Sequence, residues 1–400
     1  MKRVLIISQN FYPEIGSAAN RIKNIYVELS NQGYKVKVLT ADPSYPNRNI
    51  YRKNPEFWNE DIPDEDIIRI KTKTRKYTRN ILNRFLLYIE VLVKLIFTIS
   101  KLDKQYDVIF ATSPPIFIGF AGMFAKFRLK KKLILDVRDL WPESLLGVGV
   151  FTNKLVLKLS YFLEQKLYDS AEKIIVNSEG FIPYITSKGI NKEDIIFIPN
   201  SLTEEELSKK PKAATESNET KTIIYTGNLG LAQDLLTLVE LAEMFQQRSD
   251  IHFKIIGYGF KKDQVKNLVD EKHLSNIEII QVKNRKDTLK EVSLADIAYV
   301  GLVEKSVFQT VLPGKIIDYM CMQKPIVGNI EGYSKKVIKE AKCGFVSDDR
   351  KTVDLYESIS KLIGDEQLRN QLGQNGYEYA KKHLRWKKNI SRLTRVIENI

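Results

Sequence analysis

Short apolar runs alternate with longer segments of helical period along the whole chain. In the first half, Arg3–Ser8, Lys35–Thr40, Ile67–Ile70, Val108–Thr112, Lys132–Asp136, Lys173–Val176 and Ile195–Ile198 read as buried strands. Helices are predicted between them, over Ala18–Gln32, Arg79–Lys101, Phe117–Arg128 and Asn153–Ser170. The second half repeats the pattern with strands at Thr222–Gly227, His252–Ile256, Ile277–Ile280, Ile297–Val300 and Pro325–Gly328, and ends on helices over Val353–Ile363 and Glu366–Lys382. Strand–helix alternation of this kind predicts parallel α/β sheets. Between the halves, Glu204 to Thr220 is rich in Glu, Lys, Ser and Thr and has no apolar period. The expected division is therefore a first domain over 1–203, a linker over 204–220, a second domain over 221–378, and a terminal helix over 379–400 that returns to the first domain.

Four hundred residues, 43% hydrophobic and 28% charged, suit two ordinary globular domains. The net charge of +14 points to an acidic partner: nucleic acid, an anionic membrane or a phosphorylated substrate. No helix-turn-helix, zinc-finger or aromatic RNA-binding pattern is present, so nucleic acid is not expected. Cys321 and Cys343 have neither metal-ligand nor disulfide-framework spacing. Met1-Lys2-Arg3 runs straight into Val4–Ile7, which reads as a first strand rather than a signal sequence. The most apolar stretch, Ile81–Ile99, contains Arg84, Glu90 and Lys94 and reads as amphipathic, not membrane-spanning. Arg75, Lys76 and Arg79 crowd just before it, and with Arg84 they suit an anionic membrane surface; a core-packing helix with a solvated basic approach reads the same way.

Ligands of open α/β sheets sit at the carboxyl ends of strands. Four segments fall there. The loop after the first strand carries Glu14 and Gly16, with a helix starting near Ser17 and Arg21 one turn in. Leu135–Ser144 places Arg138 and Asp139 beside Trp141-Pro142; Asp139 suits orienting or deprotonating a hydroxyl, Arg138 a developing negative charge, and a salt-bridged corner is the plain alternative. Gly227-Asn228-Leu229-Gly230 opens the second half, where main-chain N–H groups can face phosphates. Finally, a helix after Pro313-Gly314 carries Lys315 in its first turn and Asp318 one turn on, which suits a diphosphate and a ribose diol, although a solvated amphipathic helix has the same pattern. Asp64-Glu65-Asp66 and the three histidines show no convincing metal spacing.

Taken together, Tyr12-Pro13-Glu14, Ser113-Pro114-Pro115, Asp136 through Glu143, Asn177-Ser178, Tyr225 through Gly230, Gly257-Tyr258-Gly259 and the Lys315–Pro325 run resemble the family 4 retaining glycosyltransferases over nearly the full length. Within that family they look most like bacterial polysaccharide enzymes that transfer N-acetyl-L-fucosamine. The resemblance implies the GT-B architecture, two Rossmann-like domains facing a central cleft. It implies a metal-independent transferase without cofactor, a UDP-sugar donor, an undecaprenyl-diphosphate-linked saccharide acceptor, and a cytoplasmic enzyme held at the anionic inner membrane leaflet. Lys315 would take the diphosphate and Asp318 the ribose, with Gly16, Gly227 and Asn228 at the phosphates and Val282 in the segment that reads the base. Asp139, Arg138 and Glu14 would line the acceptor side. The chain departs from the family at Thr310, where a glutamate is usual, leaving Glu304 or Gln309 to contact the donor sugar. The usual basic pair is also missing from Gly227–Asp234. A nucleotide-sugar 2-epimerase and a non-catalytic glycan-binding subunit share these features.

Overall fold

In the first strand, Val4, Leu5, Ile6 and Ile7 are all fully buried, so this strand is covered on both faces, as a central strand of a parallel sheet must be. A computed structural model describes residues 2–58, 62–73, 81–150, 153–208 and 220–400, excluding the side chains of 81, 82 and 84. Two compact units emerge, one of residues 1–200 with 386–400, the other of residues 201–385.

The first unit runs β1 (Arg3–Ser8), α1 (Ser17–Asn31), β2 (Lys35–Ala41), α2 (Arg48–Lys53), β3 (Ile67–Ile70), α3 (Ile81–Ser100), β4 (Val108–Ser113), α4 (Ile116–Leu129), β5 (Lys132–Val137), α5 (Glu143–Gly147), α6 (Lys154–Ser170), β6 (Lys173–Val176), α7 (Ile182–Ser187) and β7 (Ile195–Phe197). Its sheet has the order β3-β2-β1-β4-β5-β6-β7, with every pairing parallel. The order reverses between β1 and β4, so the loops after those strands flank the switch point where ligands bind. One apolar cluster joins Ile22, Ile25 and Leu29 of α1 to the sheet, and the other joins Leu87, Val91 and Leu95 of α3 and Ile118, Ala121 and Ala125 of α4.

The second unit runs α8 (Glu204–Ser208), β8 (Lys221–Asn228), α9 (Leu236–Met244), β9 (Ile251–Tyr258), α10 (Lys262–Glu271), β10 (Ile277–Ile280), α11 (Arg285–Leu294), β11 (Ile297–Gly301), α12 (Gly314–Cys321), β12 (Ile326–Asn329), α13 (Gly332–Ala341), β13 (Gly344–Val346), α14 (Thr352–Gly364) and α15 (Glu366–His383). Its parallel sheet has the order β10-β9-β8-β11-β12-β13, with the reversal between β8 and β11. Gly257 lies beside Gly227 across β8 and β9, and a Cβ at Gly257 would fall 2.0 Å from the Gly227 carbonyl oxygen. Only glycine permits that approach.

Helix α16 (Trp386–Asn399) belongs to the first unit, where Trp386, Ile390, Leu393 and Ile397 are buried beside α1. The sequence reading put this return at 379, but Gly376 and Ala380 are buried within the second unit and α15 runs on to His383. The stretch read as a linker likewise starts as helix α8, because Glu206 and Leu207 are both buried. The two chain crossings meet in the second unit, where Leu202 N donates to Leu384 O at 2.8 Å.

Candidate functional site

In the first unit, burial and hydrogen bonding separate the predicted groups into holders and free groups. Arg21, 1% exposed, forms a buried ion pair with Asp136 at 2.7 Å and donates to Ile198 O at 2.9 Å. The Trp386 ring lies 5.8 Å from its guanidinium carbon. Arg21, one turn into the helix after the first loop, is thus a structural group.

Glu14 is also engaged. Its Oε2 accepts from Asn10 at 2.6 Å, and its Oε1 accepts from the main-chain N–H groups of Ser44 and Tyr45 at 2.5 and 2.9 Å. Burial raises its pKa despite those donors. Glu14, expected on the acceptor side, therefore ties the loop after β1 to the turn after β2. What that loop offers instead is Gly16, at φ 116° before α1, with nothing within 4 Å of where a Cβ would stand.

Asp139 and Arg138 follow β5. Asp139 accepts from the Ser144 hydroxyl and Leu140 N–H, yet burial raises its pKa to about 6, in the range of a group that can exchange a proton near neutral pH. Arg138 N donates to Ser113 O at 2.8 Å and its Nη2 donates to Pro114 O. Burial lowers its pKa, with Asp136 and Asp139 opposing that effect. The buried atoms Arg138 Nε, Gln9 Oε1 and Asn177 Oδ1 have no hydrogen-bond partner among the described residues. These residues follow β5, β1 and β6 at the carboxyl edge of the sheet. Unpaired buried polar atoms are rare, and a cluster at this edge suits a polar ligand.

In the second unit, Lys315 starts α12 beside the end of β8. Its Nζ donates to Gln233 Oε1 at 3.1 Å and stands 3.5 Å from the centre of the Tyr225 ring. A Cβ at Gly227, which has φ 114°, would lie 3.7 Å from that Nζ. Burial pushes the Lys315 pKa well down, with Asp318 opposing more weakly. A second lysine, which sequence reasoning missed, reaches the same loop: Lys261 Nζ donates to Gln233 O at 2.9 Å and is also lowered by burial. Its signal was present, since it follows the Gly257-Tyr258-Gly259 turn at a helix start. Asn228 is exposed at the end of β8, and its main-chain oxygen accepts from Tyr225 OH at 2.7 Å.

Asp318 is not free on both oxygens. Its Oδ1 accepts from Arg285 Nη2 at 3.0 Å, and Arg285 Nε donates to Glu206 Oε1. Burial raises Asp318, and Arg285 opposes the rise. Burial alone would lower Arg285, but Asp318 and Glu206 hold it above the ordinary value. The partners lie on three helices, far apart in sequence, so no motif announced them. Val282 falls in the loop after β10, at the same strand edge. Glu304 and Gln309 line a small open pocket with Phe308, Glu331 and Arg350. Gln309 Nε2 donates to Glu331 Oε2 at 2.6 Å, and Thr310 Oγ1 donates to Val307 O at 2.6 Å. Arg350, in a left-handed conformation at φ 58°, donates to Leu302 O at 2.5 Å and lies 3.9 Å from Glu304. Nothing in the sequence singled out Arg350 or Glu331.

The basic residues Arg75, Lys76 and Arg79 lie outside the described residues, as does the side chain of Arg84.

Residues 16–201 match the family model of the glycosyl transferase 4-like domain, and residues 207–379 match that of glycosyl transferases group 1. A protein of Escherichia coli (strain K12) named as a colanic acid biosynthesis glycosyl transferase, WcaI, is 21% identical over 83% of this chain and 84% of its own. An uncharacterized glycosyltransferase of Methanocaldococcus jannaschii is 22% identical over 99% of this chain and 98% of its own. Among solved structures, Anabaena HepE in complex with UDP and glucose superposes with a TM-score of 0.74 at 14% identity, covering 100% of both chains. That likeness establishes the GT-B fold of two Rossmann-like domains.

Proposed function

Starting from a chain that is a glycosyltransferase of the family 4-like, GT-B kind, both of whose halves match glycosyltransferase domain families, we propose that it transfers a sugar from a UDP-sugar donor to a lipid-linked saccharide. The observation that carries the donor half is Lys315: a desolvated ammonium beside Gly227, held by one neutral amide oxygen and one aromatic face. Such a group gains most from an anion. A diphosphate at the carboxyl end of β8 would take Lys315, with Lys261 and the main chain around Gly227 and Asn228 close by. Lys315 would stabilise the charge that develops on the departing UDP without a metal ion. Asp318, fixed by Arg285, would present its other oxygen to the ribose, and Val282 lies in the segment that would read the base. The HepE complex with UDP and glucose supports the choice of nucleotide.

On the acceptor side, Asp139 would orient an acceptor hydroxyl and take its proton, with Arg138 next to it. We assign the donor sugar to the N-acetylated deoxyhexosamines, with N-acetyl-L-fucosamine first, and the acceptor to an undecaprenyl-diphosphate-linked saccharide of a capsule or other surface polysaccharide, used at the inner face of the membrane. The E. coli relative's name supports a polysaccharide pathway. No observation favours the 2-epimerase or the non-catalytic subunit.

The test is a mass-spectrometric transfer assay with EDTA present, a panel of UDP-sugars including UDP-N-acetyl-L-fucosamine, and lipid-linked acceptors. A gain of one sugar on the lipid with release of UDP is expected. A free UDP-sugar epimer without transfer would establish the epimerase, and UDP binding without either product from intact acceptors would remove the acceptor assignment.

A further inference from the structure

Helix α6 is amphipathic with its apolar stripe turned the wrong way for a core helix. Its buried side carries Ser160, Glu164, Leu167 and Tyr168. Leu167 presses on α4 so closely that a Cβ at Gly119 would fall 2.5 Å from it. On the opposite side, Leu155, Leu159 and Phe162 are spaced i, i+4 and i+7 and are 78%, 57% and 56% exposed. Lys154 and Lys158 are exposed beside them, and Lys166 Nζ sits 5.6 Å from the Phe162 ring centre. The first two turns contain no carboxylate, and Glu164 is buried beneath, accepting from Tyr168 OH and Tyr184 OH.

The stripe does not stand alone. Helices α3, α4 and α6 cover one face of the sheet, α4 packing against both of the others. At the end where these helices begin, Phe85 of α3 is half exposed and packs edge-on against Phe117 of α4, with ring centres 5.9 Å apart. Leu146 of α5, a few residues past Asp139, is also exposed. Helices that follow strands start at the strands' carboxyl edge, so these apolar groups share an edge with Asp139 and Arg138.

We propose that the exposed face of α6, with Leu146 and Phe85 on the same edge of the sheet, is a docking surface for an anionic lipid bilayer, onto which Leu155, Leu159 and Phe162 insert while Lys154 and Lys158 meet lipid phosphates. Charge selects this occupant. A second copy of the chain in a two-fold contact would set these lysines against their own kind, whereas anionic headgroups complement them. No helix among the described residues is long and apolar enough to cross a membrane, so the contact is with the surface layer. The proposal deepens the lipid-acceptor reading and rests on it for its role, but vesicle binding and sugar transfer are separate measurements and fail separately.

The experiment is sedimentation with sucrose-loaded vesicles of phosphatidylcholine, with and without phosphatidylglycerol. It compares the wild-type chain, the triple variant Leu155→Ser, Leu159→Ser, Phe162→Ser, and the double variant Lys154→Glu, Lys158→Glu. Wild type should bind the anionic vesicles. The serine variant should lose roughly tenfold or more in partitioning. The glutamate variant should lose binding at low salt, with the difference shrinking as salt rises. Unchanged thermal midpoints and UDP affinities establish that both variants fold. Equal sedimentation of all three proteins, or no wild-type binding to anionic vesicles, would overturn the proposal. So would a wild-type dimer that the serine variant converts to a monomer, which would make this face a subunit interface. Vesicle binding by a wild type that transfers no sugar leaves the surface standing and removes the acceptor reading; transfer to a detergent-solubilised lipid-linked acceptor by a wild type that ignores vesicles does the reverse.

Discussion

Replacing Lys315 by methionine separates binding from stability. Methionine keeps most of the apolar stem and its packing, and removes only the ammonium. In the ligand-free protein that ammonium has one hydrogen bond, to Gln233 Oε1 at 3.1 Å, and one aromatic face at 3.5 Å. No carboxylate lies within ion-pair distance of it among the described residues, and burial depresses its pKa. A desolvated charge with so few partners contributes little to the fold or opposes it, so the thermal midpoint of Lys315→Met should stay level or rise. On the proposed reading, the same ammonium meets a diphosphate when UDP binds. Losing one such charge-assisted contact costs about 2–4 kcal/mol, or roughly 30- to 900-fold in Kd. The pH dependence follows from the depressed pKa. Between that value and the ordinary 10.5, the unfolded chain binds more protons than the folded one, so wild-type stability rises with pH across this window relative to the variant. UDP favours the ammonium, so affinity should fall as pH rises through the depressed value, with proton uptake on binding. Isothermal titration calorimetry with UDP in buffers of differing ionisation enthalpy, alongside thermal melts, measures both. A lowered melting temperature with unchanged UDP affinity would refute the reasoning and make Lys315 a structural residue.

Three further outcomes are expected. Arg21→Met should destabilise the first unit by about 3–5 kcal/mol in urea unfolding because it strands Asp136 in the core, and adding Asp136→Leu should restore most of the loss. Asp139→Asn should abolish transfer and raise the thermal midpoint near neutral pH: burial holds the folded carboxyl near pKa 6 against an ordinary 3.8, so its ionised form opposes folding above about pH 6 and the opposition fades as pH falls through that value. The wild-type rate should fall on the acid side of the same value, as a pH–rate profile will show. Gly257→Ala should destabilise the second unit by more than about 2 kcal/mol, because its Cβ would sit 2.0 Å from the Gly227 carbonyl oxygen; equilibrium unfolding reads this directly.

Strands such as Val4–Ile7 and Ile297–Gly301 were legible because double burial leaves continuous apolar runs bounded by turn residues. The short β13 was not, since Gly344–Val346 offers three half-buried positions and no period. Loops at strand ends were legible by position, which brought Gly16, Asp139, Gly227 and Lys315 into view. The state of each group there was not. Glu14 and Arg21 carry the same local signals as free catalytic groups, and only their contacts with Ser44, Tyr45 and Asp136 reveal that they are occupied. Arg285 and Arg350 were invisible because their partners come from elements remote in sequence. Gly227–Asp234 carries no lysine of its own, but Lys261, on the turn after the neighbouring strand, reaches it by donating to Gln233 O.

The return of α16 to the first unit sets an order of events during synthesis. Ile22, Ile25 and Leu29 of α1 wait for Ile390, Leu393 and Ile397, and the buried Arg21 waits for the Trp386 ring. All of residues 201–385 must be made in between, which takes ~10–40 s at ordinary translation speed. During that interval the nascent first unit exposes a strip of apolar surface, and the second unit is complete in sequence before the first one is. A nascent-chain pull-down stalled before Trp386 should therefore be richer in chaperones that hold hydrophobic surface than one stalled beyond Asn399.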